Sequence, residues 1–390
     1  MSQKKIRAVY MRGGTSKGLF FLREWLPADE SKWEKLLLRI MGSPDPFEKQ
    51  IDGLGGATSS TSKVVIISSS EREGCDVNYR FGQVSIDKAS IDWSGNCGNL
   101  TSAVGPFALS QGLLECPKKG IVKVRIWQEN ISARIIAHVP VSDGEVLEEG
   151  GYFLDGVAFP GAEISLEYLN PCGDADNAAP KFPTGNVIDR FDIPGVGEVD
   201  MTLINAAIPT LFIGAHALGL KGTELQNDVN NDKELLEKAE RIRAFGAVKM
   251  GLADTSAEAT EKRPHTPKLT FLSQPLAYVS SGGKTIEADQ IDINARIFSM
   301  GKLHHAMTGT GAIALSVAVG LPGTLAEKIV SNSRTPLLRI GHPSGRVEVG
   351  AVVERREHDW FVSRAIMSRS ARRLMEGFVF FPNDFEQEKQ

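Results

Sequence analysis

Cys97 sits between Gly95 and Asn96 on one side and Gly98 and Asn99 on the other, a setting that plain core packing does not ask of a cysteine. The small and apolar residues that follow, up to 113, read as a buried helix. The thiol then lies at a helix N-terminus, where unpaired N–H groups and the positive dipole end favour the thiolate. Lys63 is the second residue suited to chemistry. It closes the segment GGATSSTSK (55–63) and opens the apolar run KVVII. An amine drawn into the mouth of a buried strand loses hydration and is pushed toward its neutral, proton-accepting form. Both residue types have ordinary uses as well: a lone cysteine as a small hydrophobe, a lysine as the exposed start of a strand. The glycine and asparagine neighbours favour chemistry at Cys97, whereas the local residues leave both readings open at Lys63. Cys75, Cys116 and Cys172 lack such a setting and read as structural.

Anion-binding groups surround these two. The loop MRGGTSKG (11–18) offers Arg12, Ser16 and Lys17, and Ser62 precedes the lysine. Arginine forks, hydroxyls and ammonium groups suit planar carboxylates. The loop lacks the four-residue spacer of a P-loop, and the strand-like LFFL follows it rather than a helix, so a nucleotide site is not expected. Late in the chain MSRSARRLMEG (367–377) adds Arg369 and Arg372, one for the site or for an ion pair between domains. With no C-x-x-C and no Cys/His ligand spacing, zinc and iron–sulfur sites are not expected. His304 and His305 are adjacent and cannot both face one metal. A net charge of −4 over 390 residues argues against nucleic acid or an anionic membrane as partner. The N-terminus has no apolar signal core and no run reaches membrane-spanning length, so a cytoplasmic, soluble protein is expected.

Short β-type runs must position these groups: 6–11, 63–69, 77–86, 121–127 and 133–141. Ser31 is expected to cap a helix whose Trp33, Leu36, Leu37 and Ile40 form one apolar stripe. Residues 173–187 read as a linker. Beyond it come a strand-like run at 199–215, a charged helix at 232–245, a strand at 268–272, a helix at 288–298, and strands near 346–353, 359–367 and 377–381. One echo stands out. SGNCGNLTSAVGPFALSQGL (94–113) and HHAMTGTGAIALSVAVGL (304–321) are both glycine-rich turns running into nonpolar helices. Two similar half-domains are expected, each with strands around a buried helix, whose N-termini face a shared cleft for a small polyanion. Asn96, Gly98 and Asn99 in the first turn, and Met307, Thr308, Gly309, Thr310 and Gly311 in the second, are the expected substrate-binding residues.

The segments MRGGTSKGLFF, GSPDPFEKQIDGLGGATSSTSKV, FGQVSIDKASIDWSGNCGNLTSAVGPFAL, INAAIPTLFI, HTPKL, SMGKLHHAMTGTGAIA, HPSG and MSRSARRLMEG together resemble the PrpF family. These are AcnD-accessory proteins of the 2-methylcitrate cycle of propionate breakdown. The resemblance runs from about residue 5 to 383. It implies an α+β, diaminopimelate epimerase-like fold of two similar domains, each a β-barrel-like sheet around a central helix, with the site between them. The expected bounds are 1–186 plus 372–390, and 187–371. It implies cis–trans isomerisation of 2-methylaconitate without metal or organic cofactor, with Lys63 and Cys97 matching the family's catalytic pair. Which of the two is the base stays open at this level. Epimerases and racemases of this fold carry a cysteine at both helix N-termini; here Met307 stands near the second position and no thiol follows Cys172. Two-thiol inversion of an amino acid is therefore not expected. The same resemblance leaves two alternatives: 4-oxalomesaconate tautomerase, and a non-catalytic partner of an AcnD-type methylcitrate dehydratase. Oligomeric state is not set by the sequence, a homodimer being one option.

Overall fold

The computed structural model describes residues 3–173, 180–330, 337–357 and 359–383. Residues 174–179, inside the stretch expected to be a linker, lie outside the described ones. The chain forms two compact units: Met1–Tyr152 with Pro160–Ser165 and Arg369–Gln390, and Phe153–Phe159 with Leu166–Ser368.

In the first unit, β1 (Lys4–Gly13) and β2 (Ser16–Leu22) form an antiparallel hairpin, and β2 runs parallel to β3 (Lys63–Ser69). Antiparallel to β3 lies β4 (Val77–Val84), which runs parallel to β5 (Lys119–Gln128); β6 (Ala133–Ser142) closes the series antiparallel to β5. The last strand, Ala371–Phe381, flanks β1 on its other edge. Because side chains alternate along a strand, the unbroken apolar runs of β2 and β3 imply a sheet covered on both faces. Leu19, Phe21, Val64 and Ile66 pack with Trp33, Leu36, Leu37 and Ile40 of α1 (Trp33–Met41). On the other face Phe20 meets Phe107 of α2 (Gly98–Ser110), ring centroids 5.6 Å apart. Each such fully buried large side chain is worth ~1.5–3 kcal/mol. Helix α1 does not start on a Ser31 cap: Asp29 caps a short 3-10 turn, accepting from the Ser31 N–H and hydroxyl, and α1 continues from it.

The second unit repeats the order. β7 (Asp189–Ile193) flanks β8 (Gly197–Ala206), which forms a hairpin with β9 (Ile208–Gly214). The expected single run at 199–215 is thus two strands, turned at Ala207, whose φ is +58°. Helix α3 (Lys233–Lys249) follows, then β10 (Lys268–Ser273) parallel to β9. β11 (Ile293–Ser299) is antiparallel to β10. This overturns the helix expected at 288–298: only Ala288–Gln290 turns, as a 3-10 segment. Ile293, Ala295 and Ile297 are all buried, and β-branched side chains fit a doubly covered strand better than a helix. Helix α4 (Gly309–Gly320) comes next, then β12 (Leu338–His342) parallel to β11, and β13 (Gly345–Arg356) antiparallel to β12. β14 (Asp359–Arg369) pairs with β13. Strands β8 to β13 therefore reproduce the pairing order of β1 to β6, with α4 standing where α2 stands.

Candidate active site

Lys63, the first residue of β3, is 4% exposed. Its Nζ donates to Oε1 of Gln83, its cross-strand partner in β4, at 2.5 Å, and lies 5.0 Å from the centre of the Phe81 ring. The Cys97 side chain lies close to the same amine. Burial drives the Lys63 pKa below its ordinary value; Cys97 pulls the other way and does not overcome it. A chain of buried amides and hydroxyls fixes this geometry. Gln83 Nε2 donates to the Ser62 carbonyl at 3.1 Å, the Ser62 hydroxyl donates to Gln50 Oε1 at 2.7 Å, and Gln50 Nε2 donates to the Ser43 hydroxyl at 2.9 Å.

Cys97 is the N-cap of α2, with extended backbone (φ −111°, ψ 95°) and Sγ accepting from the Leu100 N–H at 3.5 Å. Its carbonyl accepts from the Thr101 hydroxyl at 2.9 Å and from the Tyr79 hydroxyl at 3.4 Å. Asn96 is 1% exposed, and its Nδ2 has no hydrogen-bond partner. Leaving such a donor unmet costs ~1–3 kcal/mol, so a carboxylate oxygen accepting from it is favoured. The double glycine of the first hairpin lets the helix start come this close. A Cβ on Gly13 would lie 2.6 Å from the Asn99 carbonyl oxygen, and one on Gly14, at φ +50°, would lie 2.5 Å from Asn99 Oδ1. Asn99 is held at both ends of its amide: Nδ2 donates to the Thr15 hydroxyl and Oδ1 accepts from Arg369 Nε, each at 3.0 Å.

The remaining expected ligands of this unit take different places. Arg12 Nη1 donates to the carbonyls of Gly14 and Ser370 at 3.1 and 2.9 Å, and it braces the loop. Burial and the neighbouring Arg372 hold its pKa below the usual arginine value. Ser16 is buried opposite Gly13 in the hairpin, and Lys17 donates its backbone N–H to Ser60 while its Nζ lies 5.4 Å from the Tyr10 ring centre.

In the second unit the N-cap of α4 is Thr308, its hydroxyl accepting from the Gly311 N–H at 3.2 Å. Thr308, one residue beyond Met307, occupies the position Cys97 holds in the first unit. Met307 precedes it as a buried apolar side chain. A Cβ on Gly311 would lie 2.4 Å from Ile297 Cδ1, so the first turn packs closely on β11 there. His304 serves its own turn, its Nδ1 lying 2.7 Å from the Ala306 carbonyl oxygen and 3.1 Å from the Ala306 nitrogen. Among the described residues no group of three or more His, Cys, Asp and Glu is placed to hold a metal ion, and no helix is long and apolar enough to cross a membrane. Sequence reasoning missed Gln83, whose signal was present: it continues the inward alternation Tyr79, Phe81 as a polar residue on an otherwise apolar face.

The chain matches the PrpF protein family over residues 3–382. It belongs to that family. It is 53% identical over 388 residues to the 2-methyl-aconitate isomerase of Shewanella oneidensis, covering 97% of this chain and 98% of the relative. To the 2-methyl-aconitate isomerase of Cupriavidus necator it is 51% identical over 390 residues, covering 98% of each. The crystal structure of a methylitaconate-delta-isomerase matches 100% of this chain and 98% of its own, at TM-score 0.77 and 36% identity. A probable proline racemase from Agrobacterium radiobacter covers 95% of this chain and 92% of its own at TM-score 0.56 and 11% identity, a likeness of fold alone. The fold is thus the α+β, epimerase-like one that the PrpF family resemblance implied.

The cysteines of this family member differ in a testable way. Burial pushes the Cys172 thiol up to about 12, and burial with the nearby Glu145 raises that of Cys116. Limited iodoacetamide treatment is expected to modify Cys97 in step with loss of activity, and a bound tricarboxylate is expected to slow it. Peptide mass spectrometry reads the result; activity lost while Cys97 stays unmodified would remove it from the site.

Proposed function

We propose that this protein is a cofactor-independent isomerase that interconverts cis and trans 2-methylaconitate by taking a proton from the substrate and returning it. The observation that carries this reading is Lys63, buried beside the thiol that caps a helix, with its pKa lowered. The identity to two 2-methyl-aconitate isomerases over nearly the whole chain supports the substrate.

The substrate's methylene lies between a carboxylate and a C=C, so its proton is acidified by delocalisation. Neutral Lys63 takes that proton and becomes the ammonium. The electron pair spreads over the conjugated system as a dienolate, in which the former double bond has lost order and rotates. The proton then returns to the same carbon, which restores the double bond in the other geometry and the neutral amine. Cys97 sits beside the amine and orients that proton. The first-turn N–H groups of Gly98 and Asn99, which a helix cannot satisfy internally, and the amide of Asn96 are suited to the carboxylate that takes up the added charge. In the second unit the N-cap of α4 is Thr308, and no second thiol stands there. A proton that leaves and returns on one allylic carbon needs only one acid–base pair.

The experiment is turnover by purified protein in D₂O, with no dehydratase present. Isomerisation with deuterium on the methylene carbon, read by proton NMR, is the expected result, since lysine protons exchange with solvent. Isomerisation without deuterium would refute the dienolate, and no turnover without an AcnD-type dehydratase would favour an accessory role. Faster turnover of 4-oxalomesaconate in parallel would reassign the substrate.

A further inference from the structure

Two backbone groups of the first unit fix which way the buried amides beside Lys63 point. An amide side chain accepts at one end and donates at the other, so its direction decides what it offers a neighbour. A backbone N–H can only donate. The Ala57 N–H reaches the Gln50 side chain at 2.8 Å, so Oε1 lies at that end and Nε2 is left to donate to Ser43. A backbone carbonyl can only accept. The Ser62 carbonyl meets the Gln83 side chain, so Nε2 lies at that end and Oε1 is left to face Lys63 Nζ. The Ser62 carbonyl also accepts the Val84 N–H at 3.0 Å, which engages its second lone pair. A reversed Gln83 amide would set oxygen against the Ser62 carbonyl and aim a donor into the lone pair that a base must keep free.

The loop before β3 is built to hold this lock. Gln50 is 1% exposed and sits at φ +51°, a region that side-chain-bearing residues seldom adopt. The Asp45 carboxylate keeps it there, accepting the N–H groups of Phe47, Lys49 and Gln50 at 2.9, 2.9 and 2.6 Å. A Cβ on Gly55 would lie 2.2 Å from Gln50 Oε1, so a glycine there leaves the amide its space. Through the Ser62 hydroxyl, Gln50 fixes the residue directly before Lys63, and Ser62 in turn fixes Gln83. Gln83 itself is 0% exposed. Two titratable groups stand around the pair: Cys97 of α2, close to the amine, and buried Asp92, opposite Gln83 in the two-residue strand Ile91–Asp92, its carboxylate accepting the Ser94 N–H at 2.8 Å. In the line Lys63, Gln83, Asp92 across the sheet, a neutral side chain therefore separates the amine from the carboxylate.

We propose that Gln83 is a positioning residue for Lys63: its side-chain oxygen, locked through Ser62 and Gln50, tethers one N–H of the amine and keeps the lone pair clear for a substrate proton. That the amine takes a substrate proton rests on the isomerase reading; the tether itself does not. The Lys63 titration is read by proton–carbon NMR of the full chain isotope-labelled at the lysine ε carbon, its signal assigned by loss in Lys63→Ala. An ammonium N–H is a stronger donor than an amine N–H, so the tether favours the charged form, and Gln83→Met is expected to move the titration to lower pH. More of the amine is then neutral at neutral pH. The high-pH plateau of kcat/KM for 2-methylaconitate is nevertheless expected to fall at least about tenfold, mostly in kcat, because the amine is no longer held in place. Gln83→Glu, which keeps the shape and adds a carboxylate, is expected to move the titration up by about one pH unit or more. A titration unmoved in both variants, or a Gln83→Met plateau within about twofold of the parent, would overturn the proposal and leave Gln83 as a pin between strands. Should Gln83→Met fail to fold, Gln83→Glu decides by its titration alone, the upward shift upholding the tether and no shift overturning it. Titrations that move as stated, in a protein that does not turn over 2-methylaconitate, would uphold the tether and sink the isomerase.

Discussion

Lys63→Ala is expected to lower turnover by at least ~10²-fold, the scale of losing a positioned acid–base group. The fold should survive it, and the sign of the stability change follows from proton linkage. Burial depresses the Lys63 pKa in the folded state, so between the folded and the ordinary value the unfolded chain binds more protons. Stability then rises with pH across that window, and at neutral pH the folded state carries the penalty of holding a desolvated amine. Lys63→Met, which fills the space without the charge, should therefore melt no lower than the parent protein while being as inactive as Lys63→Ala. The parent's kcat/KM should rise with pH through the depressed pKa, as the neutral amine becomes available, and this limb should be missing from the residual activity of the variants. Calorimetry and a pH–rate profile check both parts. A folded Lys63→Ala with near-parental turnover would remove Lys63 from the mechanism.

Gly13→Ala should disable the proposed site without touching the side chain of Lys63 or Cys97. The added methyl would lie 2.6 Å from the Asn99 carbonyl oxygen and 2.9 Å from the Leu100 Cα, both backbone atoms of the first turn of α2. Backbone cannot swing aside, so the helix start must move, and Cys97 moves with it. Overpacking of this kind costs ~1–3 kcal/mol in stability. The larger effect falls on catalysis, because displacing a reacting group by about an ångström can cost ~10²-fold. Turnover about two orders of magnitude down is expected, together with a changed iodoacetamide rate at Cys97 and a retained melting transition. Parental turnover in Gly13→Ala would mean that the placement of the helix start is not under such tight constraint.

Much of the fold was legible because its signals are local. The apolar runs of β2 and β3 and the stripe of α1 state their burial in their own residues, and the two glycine-rich turns before nonpolar helices announced the repeat. The failures were places where a neighbour decided. Residues 288–298 carry apolar residues at spacings that either a helix or a buried strand can use, and only pairing with β10 and β12 made β11 a strand. At 199–215 the apolar pattern is continuous, and the break into two strands rests on one residue, Ala207, in the left-handed region.

For the site, the sequence by itself determined that Cys97 caps a buried helix, because small and glycine-flanked residues specify both the helix start and its burial. It marked Lys63 as a strand-opening amine among hydroxyls, and it excluded a second thiol after Cys172. Only the tertiary structure decided that these two meet, since 34 positions of chain separate them and their contact depends on β3, β4 and α2 packing together. Burial depth, hence the direction of the Lys63 pKa, is likewise a property of everything packed around the amine and not of its neighbours in sequence. The same holds for Gln83 and Thr308. Their residue types are ordinary, and what distinguishes them is register: which residue stands opposite which across a strand pair, and which side of the sheet meets the helix start.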